Sequence, residues 1–352
     1  MAPKHGSSST SSQSSKRTKT GSASSNSTTP PATTADPVSF TVEYPDMNNE
    51  TPSAAERVLQ QNAEFQASPF QGRDSPPGEL DLYYTVTPSD AWANMRKYSN
   101  FIIQDNTFKN NDVVYVKGRT EAGTEAQDFW VARILQVRAK SSQQVYALVA
   151  WMYWPFELPR PAVKDSHLIS ATSGHRKYHG RSELIASNFL EVLDVLSFAG
   201  KVDIQHYNED IVDGLVPEVP KGFYWRQTFC RGTLRLSALP KHCTCDGHYN
   251  PDKPMYICDS ESCKTMFHPE CLIDEMLTKK YKEEYPETAT EPTTNGTTKK
   301  KAPKAKRKIY AGKLKGELHD EGSSLMIKIS NVKEGTELFQ RIPCPKCHTL
   351  FD

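Results

Sequence analysis

Seven cysteines and one histidine in the last third of the chain constrain its fold more than any other feature. In chain order they are Cys243, Cys245, Cys258, Cys263, His268, Cys271, Cys344 and Cys347. Eight ligands in close pairs are what two tetrahedral zinc sites require, because two ligands a few residues apart can reach one ion across a tight turn. Protein side chains would then fill all four coordination positions of each ion. We therefore predict two structural Zn²⁺ ions and no hydrolytic metal centre.

Composition separates a tail from folded protein. Of the first 40 residues, 23 are Ser, Thr or Pro, so we predict a disordered Ser/Thr-rich tail over residues 1–78. The longest apolar stretch, residues 145–156, has 12 residues and is too short for a membrane span. The opening MAPKHGSSST lacks the basic-then-apolar order of a secretory signal. We therefore expect a reducing compartment, in which cysteines bind metal before they form disulfides.

Runs of β-branched and aromatic residues predict a β domain between the tail and the cysteines. The runs are residues 113–116, 129–138 and 145–154. Short polar segments join them without a helical period, which favours an antiparallel, barrel-like β domain. Ser89 offers an N-cap for a short helix through Lys97. We place this domain at 79–240 and the zinc domain at 241–352.

The order of the metal ligands resembles the PHD finger, in which the fifth ligand is a histidine. The stretch from Tyr249 to Cys271, YNPDKPMYICDSESC…FHPEC, is close to PHD fingers that read histone tails. The resemblance implies that the two sites interleave, with Cys243 and Cys245 joining His268 and Cys271, and Cys258 and Cys263 joining Cys344 and Cys347. The 72-residue gap before Cys344 is longer than is usual for the family. It predicts an inserted basic loop over 281–324, followed by a strand at Leu325–Ile329.

The PHD resemblance also implies a histone-tail site. In tail-reading fingers a strand just before the third cysteine pairs with the tail, and aromatic side chains around it form a methyl-lysine pocket. Met255–Ile257 would be that strand, and the predicted tail contacts are Tyr249, Met255, Tyr256 and Met266. Met266 replaces the usual Trp, which weakens cation–π attraction. Binding of an unmodified tail and plain scaffolding stay open as alternatives.

The β domain resembles a BAH (bromo-adjacent homology) domain. The resemblance lies in DVVYVKG at 112–118, FWVARILQV at 129–137, VYALVAWMYWP at 145–155 and GRSELIASNFLEV at 180–192. In methyl-lysine-reading BAH domains three aromatic residues form a cage, and the matching positions are Trp130, Trp151 and Tyr153. Residues 151 and 153 would share one face of a strand. The alternative is that these rings are ordinary core aromatics.

One position departs from the BAH pattern. The family's E-L-x-x-S-x-H-x-D motif continues here as Glu183, Leu184, Ser187, Phe189 and Glu191. Phe189 thus replaces a histidine that helps to hold the peptide.

The order BAH then PHD is similar to plant and fungal effectors of Polycomb-type repression. It implies a nuclear, non-enzymatic chromatin reader whose BAH cage binds a trimethylated lysine of histone H3. The implied partners are the H3 tail, the nucleosome and co-repressor proteins. We expect Trp151→Ala to abolish peptide binding while leaving the fold and zinc content intact.

Two other functional classes compete with this prediction. One is a ubiquitin or SUMO ligase built on the zinc domain, and the other is a PHD-driven reader of the H3 N-terminus with the BAH domain as scaffold. No Walker A, G-x-S-x-G or H-E-x-x-H motif occurs in the sequence. Residues 299–308, KKKAPKAKRK, include seven basic residues and fit a nuclear import signal or a nonspecific DNA contact.

Overall fold

The fold is mainly β, as the sequence predicts. The protein is described from a computed structural model that places residues 38–44, 66–67, 80, 83–118, 126–161, 165–209, 217–286, 308–320 and 324–351. The chain divides into two compact units. The first unit comprises Met1–Arg176, Ser182–Tyr207 and Pro220–Ser237, and the second comprises Lys177–Arg181, Asn208–Val219 and Ala238–Asp352. No helix in the described part of the chain has the length and apolar character needed to cross a membrane.

The first unit is built mainly from strands. Its elements are β1 (Thr41–Glu43), β2 (Gln66–Ala67), β3 (Tyr83–Thr87), α1 (Ser89–Ala93), β4 (Arg96–Tyr98), β5 (Asn100–Ile103), β6 (Asn106–Lys109), β7 (Val113–Val116), β8 (Trp130–Ser141), β9 (Gln144–Tyr153), β10 (Glu183–Asp194), β11 (Phe198–Val202), β12 (Ile204–His206), β13 (Phe223–Cys230) and β14 (Arg235–Leu236). Short 3₁₀ turns lie at Ala126–Asp128, Pro155–Glu157 and Val195–Ser197. The three runs predicted as strands form parts of β7, β8 and β9.

The main sheet of the first unit has apolar clusters on both faces. Its strands follow the order β11-β7-β8-β9-β10-β13-β12, with β4 paired to β8 and β14 to β13. Side chains of a strand alternate between faces. Along β9, Tyr146, Leu148, Ala150 and Met152 join one cluster, and Ala147, Val149, Trp151 and Tyr153 join the other. The strands at the centre of the sheet are therefore buried on both sides, which explains their nearly continuous apolar sequence.

Part of the predicted tail is packed structure. Residues 38–44 lie inside the segment predicted as disordered, yet β1 pairs antiparallel with β3. The ring of Phe40 packs edge-on against Trp92 and Tyr146, with centroids 5.4 and 5.1 Å apart. The Tyr44 hydroxyl accepts a hydrogen bond from the backbone N–H of Leu190 at 2.9 Å. Composition missed these contacts because three apolar or aromatic side chains carry them within a polar segment. The remaining residues of the predicted tail, apart from 66–67, lie outside the described residues.

The helix predicted over 89–97 is shorter than expected. It ends at Ala93, and Arg96–Tyr98 instead pairs with β8. The Arg138 guanidinium donates to the carbonyls of Trp92 at 2.7 Å and Ala93 at 3.3 Å. These carbonyls belong to the helix end, where carbonyls lack the usual helical partner four residues on; that of Trp92 also accepts from the N–H of Met95 at 3.3 Å. A side chain from the sheet thus terminates α1, and sheet pairing replaces the rest of the predicted helix.

The second unit combines ligand loops with a helix and a small sheet. Its elements are β15 (Tyr256–Ile257), β16 (Met266–Phe267), α2 (Pro269–Glu284), β17 (Leu314–Asp320), β18 (Leu325–Asn331) and β19 (Glu337–Arg341). β15 pairs with β16, and β17, β18 and β19 form an antiparallel sheet. A Cβ on Gly316 would lie 3.0 Å from Ile327 and 3.1 Å from Ile273. Glycine at this position therefore lets α2 pack closely against β17.

Regular structure also occupies part of the predicted inserted loop. α2 runs on to Glu284, and Leu314–Asp320 is a strand, so the segment 281–324 begins in a helix and ends in a sheet. The strand predicted at Leu325–Ile329 is present and extends to Asn331. Residues 287–307 lie outside the described residues. The predicted insert thus supplies the end of α2 and the strand β17, whose residues Tyr281 and Leu314 share an apolar cluster with buried residues of β18.

Two short stretches of the predicted BAH domain belong to the second unit. Asn250 Nδ2 donates to the carbonyl of Lys177 at 2.7 Å, and the Asp252 carboxylate accepts from the N–H of Arg181 at 2.6 Å. The ring of Tyr178 packs edge-on against His248 at 4.8 Å. A single boundary at residue 240 does not describe this arrangement.

Candidate functional site

The structure brings the predicted metal ligands together in two groups of four. One group is Cys243, Cys245, His268 and Cys271, and the other is Cys258, Cys263, Cys344 and Cys347. Within each group the ligand atoms all lie within 4.8 Å of one another. These are the two interleaved sets that the PHD resemblance implies. Each set could hold one metal ion.

Local backbone geometry explains how the pairs form. The residue after the second cysteine has a positive φ in three pairs: 57° at Asp246, 43° at Lys264 and 61° at His348. This left-handed step turns the chain back so that both sulfurs point the same way. The fourth pair uses the start of α2 instead, because His268 is the N-cap, Pro269 opens the helix and Cys271 lies in its first turn.

His268 and Gly247 show that the first group suits an ion. The Nε2 atom of His268 lies 3.0 Å from the carbonyl of His248, which can only accept, so Nε2 carries the proton. Nδ1 is then free to ligate and lies 3.4 Å from Cys245 Sγ. A Cβ on Gly247 would lie 2.8 Å from the His268 ring and 2.9 Å from Cys245 Sγ. The ligands therefore need glycine at this position.

Hydrogen bonds favour the thiolate form of two ligands. Contacts with the Thr349 hydroxyl and N–H lower the pKa of the Cys347 thiol to about 6. Burial raises the pKa of Cys243, but hydrogen bonds from the backbone of Cys245 and His268 outweigh it and lower this pKa to about 7. Thiolate is the form that binds metal. Three thiolates with one imidazole, and four thiolates, are donor sets typical of structural zinc.

The three predicted cage residues lie at one end of the β8–β9 hairpin. Trp130 begins β8 and Tyr153 ends β9. The pairs Val131↔Met152 and Ala132↔Trp151 set the register, which places Trp130 beside Tyr153. All three rings contact the same apolar cluster. The structure thus brings the predicted residues together on one face of the sheet.

Trp130 and Trp151 form a right-angled pair of rings. Their centroids are 5.8 Å apart, and their planes meet at 84°. Trp130 is half-buried, whereas Trp151 and Tyr153 are only 6% and 4% exposed. Burial, followed by the nearby Glu157 charge, raises the pKa of Tyr153. Its Oη atom has no hydrogen-bond partner among the described residues.

A bulge in β10 adds two side chains to the predicted three. The register of β10 against β9 shifts between Ala186 and Leu190, opposite Trp151. There the Ser187 hydroxyl donates to the carbonyl of Trp151 at 2.6 Å. Bulges commonly redirect side chains next to functional sites. Here Phe189 lies within the bulge, and Glu191 follows it.

Phe189 and Glu191 both contact the predicted cage. The Phe189 ring meets Tyr153 edge-on at 5.8 Å and stacks on Phe229 at 5.5 Å. The Glu191 carboxylate accepts a hydrogen bond from Trp151 Nε1 at 2.9 Å. Sequence reasoning treated Phe189 only as the loss of a histidine and gave Glu191 no role. The alternate spacing of Ser187, Phe189 and Glu191 could have indicated that these side chains share one face of a strand. The bulge that directs them has no sequence signature of its own.

The predicted tail contacts of the finger are not grouped in the same way. Met255 and Tyr256 are half-buried against the core of the second unit, and Met266 is buried in β16. The predicted strand Met255–Ile257 appears as Tyr256–Ile257, paired with Met266–Phe267. The Tyr249 ring lies 6.4 Å from His242.

The chain shares a homologous region with one curated protein. It is 26% identical over 146 residues to the chromatin remodeling protein EBS of Arabidopsis thaliana. The alignment covers 41% of this chain and 55% of that protein. The sequence-based resemblance to BAH–PHD proteins is confirmed. The chain spans about half the length of this relative. No protein-family model matches the chain.

A solved structure of the yeast Rsc2 BAH domain also aligns with the chain. The alignment covers 41% of this chain and 54% of that structure, at 11% identity and a TM-score of 0.27.

Proposed function

We propose that this protein is a nuclear, non-enzymatic chromatin reader. In this proposal the first unit binds a trimethylated lysine of histone H3, with the Polycomb repressive mark as the first candidate, and the protein acts as an effector of transcriptional repression. The observation that carries the proposal is the right-angled pair of Trp130 and Trp151 beside Tyr153. Two perpendicular ring faces and a third neighbouring ring are what a quaternary ammonium group binds.

Charge at the site supports a cationic ligand. Glu191 holds the Trp151 indole through its Nε1–H, and its carboxylate adds negative charge to the ring group. Trimethylated lysine sheds its water easily, whereas unmodified lysine keeps a strong hydration shell. Cation–π attraction to the rings is worth about 2 kcal/mol where the site is desolvated, and the lower cost of desolvation makes the cage favour the trimethylated form.

The second unit has a structural role in this proposal. Zn²⁺ bound by the two ligand groups would cross-link the loops around Cys243, Cys258, His268 and Cys344, and no ligand position would remain for a substrate. The similarity to a chromatin remodeling protein supports a nuclear location and a histone or nucleosome partner. Co-repressor proteins would then be brought to chromatin by surfaces outside the cage.

A peptide-binding measurement tests the cage. The zinc-loaded chain is titrated with H3 peptides that carry unmodified or trimethylated lysines, using isothermal titration calorimetry. Trp130→Ala is the informative variant because Trp130 is half-buried and begins its strand. We expect it to weaken binding of the trimethylated peptide by roughly 30-fold, which corresponds to about 2 kcal/mol.

Phe223→Ala is the matched control. Phe223 is also half-buried and loses an aromatic contact, its 5.5 Å pair with Trp154, but it packs on the opposite face of the sheet. This variant should bind the peptide as the unmodified protein does. Equal affinities of Trp130→Ala and the unmodified protein would show that the three rings are core aromatics only.

A further inference from the structure

A cavity in the second unit lies between the zinc-ligand loops and carries a basic wall. Its volume is about 340 Å³, within the range of roughly 300 to 1,000 Å³ that is typical of ligand sites. Its lining includes Lys241, Lys264, Lys346, Thr244, Thr265 and Met266. The three lysines come from three different ligand loops. Metal binding would therefore hold the three charges in place around one space.

Carboxylates neutralise only part of this wall. Lys241 Nζ lies 3.6 Å from Asp246, and the lining residue His242 lies 3.7 Å from Glu209. Lys264 Nζ instead donates to the carbonyl of Asp259 at 3.2 Å, and Lys346 Nζ donates to the Thr265 hydroxyl at 3.2 Å. Both of these partners are neutral. The three lysine side chains are all exposed, so each can turn toward a ligand.

The charge of the wall decides which ligand it accepts. Met266, which stands where tail-reading fingers commonly have Trp, lines this cavity. A methylated lysine placed there would face three ammonium groups and no aromatic ring. Its positive charge would be repelled by theirs. An anion would be attracted by the lysines and could accept a hydrogen bond from the hydroxyl of Thr244.

We infer that this cavity binds a phosphate group of the DNA backbone. Readers of phosphorylated peptides use arginine clusters, whose planar fork grips phosphate in two places. The lining contains lysine and no arginine, and lysine binds phosphate as a point charge without reading sequence. The sequence also contains the basic run 299–308, and a run of lysine and arginine residues favours an extended polyanion. The inference does not depend on methyl-lysine binding by the first unit.

DNA binding by the zinc-loaded full chain tests the inference. Fluorescence anisotropy with a labelled 20-base-pair duplex is measured between 50 and 200 mM salt for the unmodified protein and for the combined variant Lys241→Gln, Lys264→Gln, Lys346→Gln. Each phosphate contact adds about 0.9 to the negative slope of log K against log salt. We expect the combined variant to lose about 2 to 3 from that slope and to bind roughly tenfold or more weakly at 0.1 M salt.

A charge-matched control separates the cavity from general attraction. Lys279, Lys282 and Lys315 are exposed in the same unit and do not line the cavity. Changing these three to Gln removes the same charge and should reduce the slope by much less. The inference is overturned if this control loses as much of the slope as the combined cavity variant does. It is also overturned if the cavity variant keeps the DNA affinity and slope of the original protein. Stronger binding of a phosphothreonine peptide than of the duplex overturns it as well.

Asp246→Asn gives a test that removes no positive charge from the protein. Asp246 adopts a φ of 57°, a conformation that asparagine also tolerates. The substitution removes the carboxylate beside Lys241, so DNA affinity should rise severalfold. If zinc analysis shows that the combined lysine variant is not metal-loaded, Asp246→Asn decides the matter, and unchanged DNA affinity in this variant refutes the inference.

Discussion

Trp151 serves both core packing and the candidate cage. It is 6% exposed and belongs to an apolar cluster with Val149, Ile185 and Phe229. Its backbone carbonyl accepts from Ser187, and its indole donates to Glu191. A ring with this many neighbours cannot be removed without an effect on the fold. The expectation that Trp151→Ala leaves the fold intact is therefore at odds with its burial.

We predict that Trp151→Ala lowers the free energy of unfolding of the first unit by about 3 to 5 kcal/mol, because it leaves a large cavity in the cluster. Urea denaturation followed by tryptophan fluorescence measures this, since all five tryptophans of the chain lie in the first unit. Trp151→Phe keeps a ring and should cost clearly less. If Trp151→Ala unfolds at the same urea concentration as the original protein, the ring contributes little to packing.

At the scale of elements, β10 is held differently on its two sides. It pairs antiparallel with β9 and parallel with β13, and both ladders shift register within the stretch 184–190. Glu183 and Arg226 bridge β10 and β13 through two hydrogen bonds of 3.1 and 2.8 Å. Their side chains are 0% and 1% exposed. This fully buried pair fixes the start of the strand that later supplies Phe189 and Glu191.

Breaking the buried pair should destabilise the first unit more than replacing it. Arg226→Met leaves the Glu183 charge buried without its partner, and we expect it to cost about 3 to 5 kcal/mol. The double variant Glu183→Met, Arg226→Met removes both charges and should recover most of that loss. The same fluorescence-detected urea transition measures both. A double variant no more stable than Arg226→Met would mean that the two side chains do not act as a pair.

At the scale of the whole molecule, the two units depend on different forces. The first unit has two large apolar clusters. Among the described residues the second has one cluster, and three of its buried members are the metal ligands Cys243, Cys258 and Cys344. Packing in the second unit is therefore linked to metal binding. Structural zinc contributes on the order of 10 kcal/mol per site.

Removal of metal should act on the second unit alone. We predict that a chelator speeds tryptic cleavage after Lys264 and Lys346, which lie beside metal ligands, while the fluorescence-detected urea transition of the first unit keeps its midpoint. Restoring Zn²⁺ should restore protection, and Mg²⁺ serves as the control because thiolates bind it poorly. Unchanged cleavage after zinc removal, verified by metal analysis, would contradict the proposed cross-links.

The sequence predicted individual site residues in the second unit but mainly whole strands in the first. The metal ligands could be predicted one by one, because their residue types are rare and their spacing reflects coordination geometry. The strands β7, β8 and β9 could be predicted because runs of β-branched and aromatic residues suit a buried sheet. Residues 38–44 could not, because their role depends on partners more than 40 residues away, such as Thr87, Trp92 and Leu190.

The sequence by itself determined the two metal-ligand groups, the mainly β fold class and the three ring positions at 130, 151 and 153. The ligand pairs and the fold class follow from local spacing and residue type, which are properties of neighbouring residues. The grouping of the pairs and the three ring positions rest on the resemblance to PHD fingers and BAH domains. Only the tertiary structure decided that Glu191 holds Trp151, that Phe189 contacts Tyr153 and that three lysines from distant loops line one cavity. Such groupings depend on a bulge in one strand and on loops far apart in the chain, and no local pattern encodes distances between residues so far apart.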